Sequence, residues 1–496
     1  MSRIGASGGR FHHTRLNRGV AMVRAICGLL LFGLANLTLG EERTLHEQAT
    51  DALRRASDFF AHEVADHGGY LWRYSEDLSK REGESRVARG TVWVQPPGTP
   101  SVGRAFLDAY EATDDKRYLS AAVDVGMCLV QGQLESGGWD YRIEFGKSRR
   151  RYAYRLLRSE RSARNRTTLD DNTTQAALRF LMRLDRLKPG KFKEIHEAVA
   201  YGLSALLKAQ YPNGAWPQRY EQFPEADKFP VKKASYPESW PRVFPSADYR
   251  GYYTFNDNAI ADMIDVMFIA AKTYKDDRYA KAAERAGDFI LSAQLPDPQP
   301  AWAQQYNLDM HPAWARRFEP PAVTGGESQG VMLTLMHLYR ETGKRKYLEP
   351  IPRAIQYLRR SRLSDGRLAR FYELRTNKPL YFTKDYKLTY KDDDLPTHYG
   401  FKVSQKLDAI EASMRRLINL PVNELNKREA KSPARVSESL KGQVKSVIAA
   451  LDNKGRWVKE DRLKYHGADD DTRRIIDCRT FIRNVGILSR YLAATK

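Results

Sequence analysis

Three cysteines in 496 residues exclude a disulfide framework as the source of stability. Cys27 falls in a leader-like stretch, which leaves Cys128 and Cys478. One bridge between them is possible, but spacing alone does not pair them. Long apolar runs are also scarce. Ala25–Leu39 is interrupted by Asn36 and Thr38 and is short for a bilayer crossing. Strand-like alternation is sparse, which disfavours a large sheet. No nucleic-acid reader motif occurs, so basic charge does not by itself imply a nucleic-acid partner.

What is present begins with charge. The net charge is +21, which suits a nucleic acid, an anionic membrane surface or an acidic polymer equally. The first forty residues resemble a secretion signal. Met22 is the better start, followed by Arg24, the apolar Ala25–Leu39, then Gly40 before Glu41 and Glu42. Removing residues 1–40 takes away five arginines and no acidic residue, so +21 becomes +16. The expected product is secreted or periplasmic, with no stable membrane insertion once the signal is gone, and with its oligomeric state open.

One pattern recurs along the rest: apolar helix, short charged turn with an aromatic, second apolar helix, Gly–aromatic loop. The turns read TDDKRY (Thr113–Tyr118), TYKDDRY (Thr273–Tyr279) and TGKRKY (Thr342–Tyr347). Helical spacing follows, as in Ala282, Ala286, Phe289 and Ile290. Loops of the second kind occur at Gly68–Tyr70, Gly137–Trp139, Gly214–Trp216, Pro300–Trp302, Gly366–Leu368 and Gly455–Trp457. Helix pairs repeated roughly 65 to 90 residues apart predict an all-α fold, an α/α toroid with long functional loops. One domain, 41–496, then accounts for the mature chain, with the role of the helices after Val422 left open.

Two segments depart from the rhythm. Tyr220–Arg250 reads as a Pro- and aromatic-rich insertion between the helices of the fourth unit. Lys147–Arg166 is densely basic, which fits a solvated surface or contact with a polyanion.

Three stretches carry candidate chemistry. In TTLDDNTTQ (Thr167–Gln175), Asp170, Asp171 and Asn172 precede a helix; in YYTFNDN (Tyr252–Asn258), Asn256 and Asp257 do the same. Such residues are helix caps as readily as ligands. If consecutive units bring both clusters to one end of a toroid, their oxygens suit a hard cation such as calcium. In PAWARRFEPP (Pro312–Pro321), Arg316 and Arg317 form a stiff cationic loop, or simply pair with Glu319 or Asp309.

QYPNGAWPQRY (Gln210–Tyr220), YTFNDNA (Tyr253–Ala259) and AWAQQY…PAWARRFEPPAVTGGES (Ala301–Ser328) resemble the pectic acid lyases, polysaccharide lyase family ten. The signature GGWP stands here as Gly214–Ala215–Trp216–Pro217, and DGRLARFYELRTNKPLYFTKD (Asp365–Asp385) is similar to the family's late segment. The resemblance covers about 164–401. It implies a pectate lyase: calcium-assisted β-elimination on polygalacturonate, an acidic polysaccharide. By this resemblance Arg316 is the base. Asp170 and Asp257 hold the metal. Asp170, Asp171, Trp216, Tyr253, Arg317, Arg370 and Lys384 contact substrate. Lys384 stands where an arginine is expected, which forfeits bidentate carboxylate recognition. Rival readings are a non-catalytic binder of acidic polysaccharide, a toroid-fold unsaturated glucuronyl hydrolase and, less well matched to polar loops, a terpene-type cyclase.

Overall fold

The computed structural model describes residues 43–158, 160–425 and 436–496. The leader-like segment 1–40 therefore lies outside the described residues. The chain divides into Met1–Gln48 and Ala49–Lys496, and the fold below is that of the second unit.

Helices come in successive pairs, and the turn chemistry shows why. After α1 (Leu45–Phe59), α2 (Thr99–Thr113) and α3 (Lys116–Gln131) form a hairpin. Asp114 ends α2 in the left-handed conformation, and the Asp115 carboxylate accepts from the Arg117 backbone N–H to open α3. The pair α4 (Thr173–Leu187) and α5 (Lys193–Ala209) follows. Between α6 (Ala259–Tyr274) and α7 (Asp277–Ser292), Lys275 and Asp276 repeat the stop-and-start device. The next pair is α8 (Glu327–Thr342), closed by left-handed Gly343, and α9 (Ile351–Arg360). The aromatic of each turn, Tyr118, Tyr279 or Tyr347, is buried, and the Tyr347 hydroxyl donates to the Glu284 carbonyl of α7.

The first helices of successive pairs touch in the order α2, α4, α6, α8, then α10 (Leu407–Ile418). After α11 (Val422–Leu425), α12 (Glu438–Ala449) packs on the last helix, α13 (Cys478–Ala494), and α13 lies against α2. The end of the chain thus returns to its beginning. Phe60, just beyond α1, stacks on Phe481 of α13 at 3.7 Å between centroids. Strands Val458–Glu460 and Arg474–Asp477 join Arg73–Ser75 and Arg81–Glu82 in one antiparallel sheet, with Arg73 opposite Asp477. The architecture is an all-α toroid of helical hairpins, as the repeat predicts.

The Gly–aromatic loops are its joints. Trp139, Trp216 and Trp457 are buried and each donates its indole N–H to the carbonyl of a preceding helix, Leu129, Leu206 and Val447 respectively. Trp302 does the same to Ile290. Glycine is required where the loop grazes the neighbouring pair: Gly214 has φ +94°, and a Cβ there would meet the Arg285 carbonyl oxygen at 2.0 Å.

Two expectations change. The Tyr220–Arg250 segment lies between α5 and α6, so it links two pairs rather than interrupting one. It is pinned to later parts of the chain, with the Trp314 indole donating to the Pro241 carbonyl and the Ala234 N–H to the Ser292 carbonyl at the end of α7. Cys128 and Cys478 are both buried free thiols, so the open question of a bridge is answered against one.

Candidate functional site

The site starts from two short ladders at the same end of adjacent helices. Thr167–Thr168 pairs with Arg219–Tyr220, and Tyr253–Thr254 pairs with Gln305–Tyr306. Each ladder delivers its chain into a single tight turn, Asp170–Asn172 before α4 and Asn256–Asn258 before α6. Within the turns Asp171 (φ 49°) and Asn172 (φ 58°) match Asp257 (φ 48°) and Asn258 (φ 59°), all left-handed. Asp and Asn tolerate this conformation better than other side-chain-bearing residues, but it is still costly. Neither turn gives a side-chain cap to its helix. The carboxylates face each other instead: oxygens of Asp170, Asp171 and Asp257 all lie within 4.8 Å.

Three carboxylates that close repel one another. Asp170 is buried, and its Oδ2 accepts from the Tyr141 hydroxyl at 2.9 Å and the Arg219 guanidinium at 3.1 Å. Its Oδ1 is buried with no partner. Burial, with Asp170 and Asp257 beside it, pushes the Asp171 carboxyl up to about 7. Asp257 is open on one side, yet desolvation and the charge of Asp170 push it up to about 6, against the pull of Arg316. Glu84, from a loop far upstream, adds a further negative charge beside Asp170 and Asp171. A cluster of hard oxygens with an orphaned buried acceptor and two carboxyls reluctant to ionise fits a divalent cation such as calcium.

The opposite corner sets each of two arginines against a glutamate, Arg316 with Glu319 and Arg370 with Glu327. Glu319, 2% exposed, accepts from Arg316 Nε at 2.9 Å and NH2 at 2.6 Å, and from the Arg316 backbone N–H at 3.1 Å. The Tyr399 hydroxyl adds a bond to Glu319 at 3.0 Å. This pairing holds the Arg316 guanidinium more firmly protonated than usual, despite its partial burial. The Arg316 guanidinium also sits over the Phe318 and Tyr399 rings. Arg370 donates to Glu327 at 3.0 Å and to the Gly400 carbonyl at 2.6 Å, over the same Tyr399 ring. Asp257, Glu327 and Arg370 line one pocket of about 230 Å³, so one member of the acidic cluster and the Arg370–Glu327 pair share it.

Asp170, Asp171, Asp257 and Arg370 thus come together, with Arg316 close enough for its charge to act on Asp257. Other expectations need correction. Trp216, 1% exposed, is a joint of the toroid rather than a cleft wall. Tyr253 is fully buried against Tyr211 and Phe289, so it does not line the cleft either. Arg317 lies outside this pocket but stays exposed, stacked on Tyr386 at 3.6 Å. Lys384 is exposed and ion-paired with Asp394 at 3.1 Å, outside the pocket.

Tyr141, Arg219, Glu84 and Tyr399 escaped the sequence reading. Arg219 lies inside the stretch Gln210–Tyr220, and Tyr141 follows a Gly–Trp loop by two residues. Glu84 and Tyr399 carried no local signal.

The family model for pectic acid lyase matches residues 133–365, a little under half of the chain. The chain therefore carries a pectic acid lyase region, and its enzyme class is that of the polysaccharide lyases. The matched residues hold Asp170, Asp171, Asp257 and Arg316, whereas Arg370 and Lys384 lie beyond them. No curated protein matches the chain. Among solved structures, a family 10 polysaccharide lyase from Cellvibrio cellulosa, in a mutant complexed with trigalacturonic acid, is 19% identical with TM-score 0.42. That match covers 64% of this chain and 97% of the other. A second structure of a family 10 polysaccharide lyase from Cellvibrio cellulosa matches at 19% identity and TM-score 0.43, over 62% of this chain and 94% of the other. A GH76 α-mannanase from Bacteroides thetaiotaomicron is 10% identical with TM-score 0.38, over 92% and 97%.

Proposed function

We propose that this protein is an exported pectate lyase that cleaves polygalacturonate by β-elimination. The observation that carries the reading is the meeting of the Asp170–Asp171–Asp257 cluster with Arg316 and Arg370 at one end of the toroid. The family match over residues 133–365 supports the same reaction class.

The chemistry asks for both corners. The proton on carbon five of a uronic acid becomes acidic only when the adjacent carboxylate is neutralised. A calcium ion held by Asp170, Asp171 and Asp257 would supply that neutralisation as a Lewis acid. Arg370 would orient the sugar through its carboxylate, over the Tyr399 ring. A base then takes the carbon-five proton, the freed electron pair forms the carbon four–carbon five double bond, and the glycosidic oxygen departs and is protonated from water. Arg316 is proposed as that base. Glu319 ties down Nε and NH2, which leaves NH1 as the edge free to face the sugar. Its firm protonation in the resting geometry means that base action requires the Glu319 pair to weaken when substrate binds.

That same pairing favours a second reading, a binder of acidic polysaccharide in which Arg316 serves only as a fixed cation. One assay separates the two. Purified protein with polygalacturonate and calcium is expected to release unsaturated oligosaccharides that absorb in the ultraviolet. Tight binding with no absorbance across alkaline pH would replace the lyase with the binder.

A further inference from the structure

The Arg317 side of the arginine loop opens a second pocket of about 590 Å³, between the 220–250 segment and the hairpin around residues 382–390. Its lining mixes cations with flat aromatic faces. Arg317 lies over the Tyr386 ring at 3.6 Å, and among the described residues it has no carboxylate partner. Lys387 also lines the pocket without an ion pair among the described residues. Arg242 is different. It lies over Trp240 at 4.1 Å and is neutralised by Glu373 and bonded to the Tyr390 hydroxyl. Asp385 is the carboxylate in the lining, so uncompensated positive charge still prevails there.

This pocket is linked to the Arg316 corner by a strip of rings. Phe318 packs on Tyr399 at 4.7 Å and on Tyr386 at 5.6 Å. Arg316 sits over Tyr399 and Phe318 at one end, and Arg317 sits over Tyr386 at the other. Sugar rings pack on aromatic faces, and a guanidinium held over one presents its N–H edge to a carboxylate. Two neighbouring arginines pointing to opposite ends of one aromatic strip suit a repeating polyanion better than a compact ligand.

We propose that the Arg317–Tyr386–Lys387 pocket is a second acidic-sugar subsite. It would take the carboxylate of a uronic acid residue in a chain whose reacting bond lies at Arg316. The proposal rests on the lyase reading and adds a length preference to it: longer chains gain contacts that short ones do not reach.

The test uses full-length protein with Arg316→Ala as a silent background, probed by calorimetry with long polygalacturonate and with trigalacturonic acid. Adding Lys387→Glu, or separately Arg317→Ala, is expected to weaken long-chain binding about tenfold, the scale of one lost charge-assisted contact. The ratio of long-chain to trimer affinity falls accordingly. Because both side chains sit at the surface of the pocket, equal melting temperatures verify that folding is retained. Unchanged long-chain affinity in both variants, or parallel loss for trimer and polymer, overturns the subsite. If the background protein binds neither ligand and wild type releases no unsaturated product, the lyase reading itself falls.

Discussion

The acidic and arginine corners solve opposite electrostatic problems. Arg316 and Glu319 satisfy each other with three hydrogen bonds, and Tyr399 completes the set, so this corner is finished without any ligand. Asp170, Asp171 and Asp257 crowd like charges together, leave a buried oxygen unpartnered and spend left-handed backbone to do so. Structure that is costly and uncompensated is held for a partner that is not protein. The difference is that the acidic cluster carries crowded charge and a buried oxygen that no protein group answers, a lining that suits a cation, whereas Arg316 is answered by its own glutamate.

The largest expected effect tests the arginine. Arg316→Ala should reduce turnover roughly a thousandfold while substrate affinity changes little, as for loss of a group acting on the proton transfer. Near-full activity in a steady-state ultraviolet assay would remove Arg316 from the mechanism and equalise the two corners as binding surfaces.

Next, Asp257→Asn should weaken calcium affinity by at least about tenfold to a hundredfold, the loss that follows even when only a supporting partner of a metal ligand is removed. A calcium titration followed by calorimetry reads this directly. An unaltered titration would mean the three carboxylates tolerate each other without needing an ion.

A smaller change is expected from Glu319→Gln. Losing a charged acceptor should cost roughly 1–3 kcal/mol of stability, at the low end because the Arg316 side chain is 41% exposed and can be rehydrated. Denaturant melts measure it. The variant also tells whether a looser Arg316 is a better base: faster turnover at alkaline pH would support the idea that the pair restrains catalysis, and slower turnover would assign Glu319 to positioning.

The last effect is the gentlest and concerns pH. Asp171 and Asp257 hold protons in the folded state up to about 7 and about 6, well above their ordinary range. Folded protein therefore binds more protons than unfolded chain across this window, and stability should fall as pH rises from about 4 to about 7. With calcium added the slope should flatten, because the ion replaces the protons. Thermal melts with chelator and with calcium check the sign. A rise in stability over that window without calcium would contradict the crowding of the cluster.

Much of the fold was legible in the chain because it is built from local rules repeated. The turns at Thr113–Tyr118 and Thr273–Tyr279 carry their own stop and start residues, and the Gly–Trp loops carry the glycine their joints require. The candidate site was legible only in part. Trp216 stands in a motif that suggests a cleft residue, but its indole closes a joint equivalent to those of Trp139 and Trp457. Sequence could not separate the two roles because burial depends on neighbours from another pair.

By itself, then, the sequence determined the helix pairs, their repeat and the residue types that meet at the loop ends, since propensity, capping and periodicity act over a few residues. Only the tertiary structure decided that Asp170 and Asp257 face each other rather than cap α4 and α6. Left-handed turns set by two ladders from distant strands aim them inward. It also decided that Glu84 joins them, that Glu319 claims Arg316 and that Arg317 stacks on Tyr386. Each of these is a distance between residues far apart in the chain, and no local rule fixes such a distance.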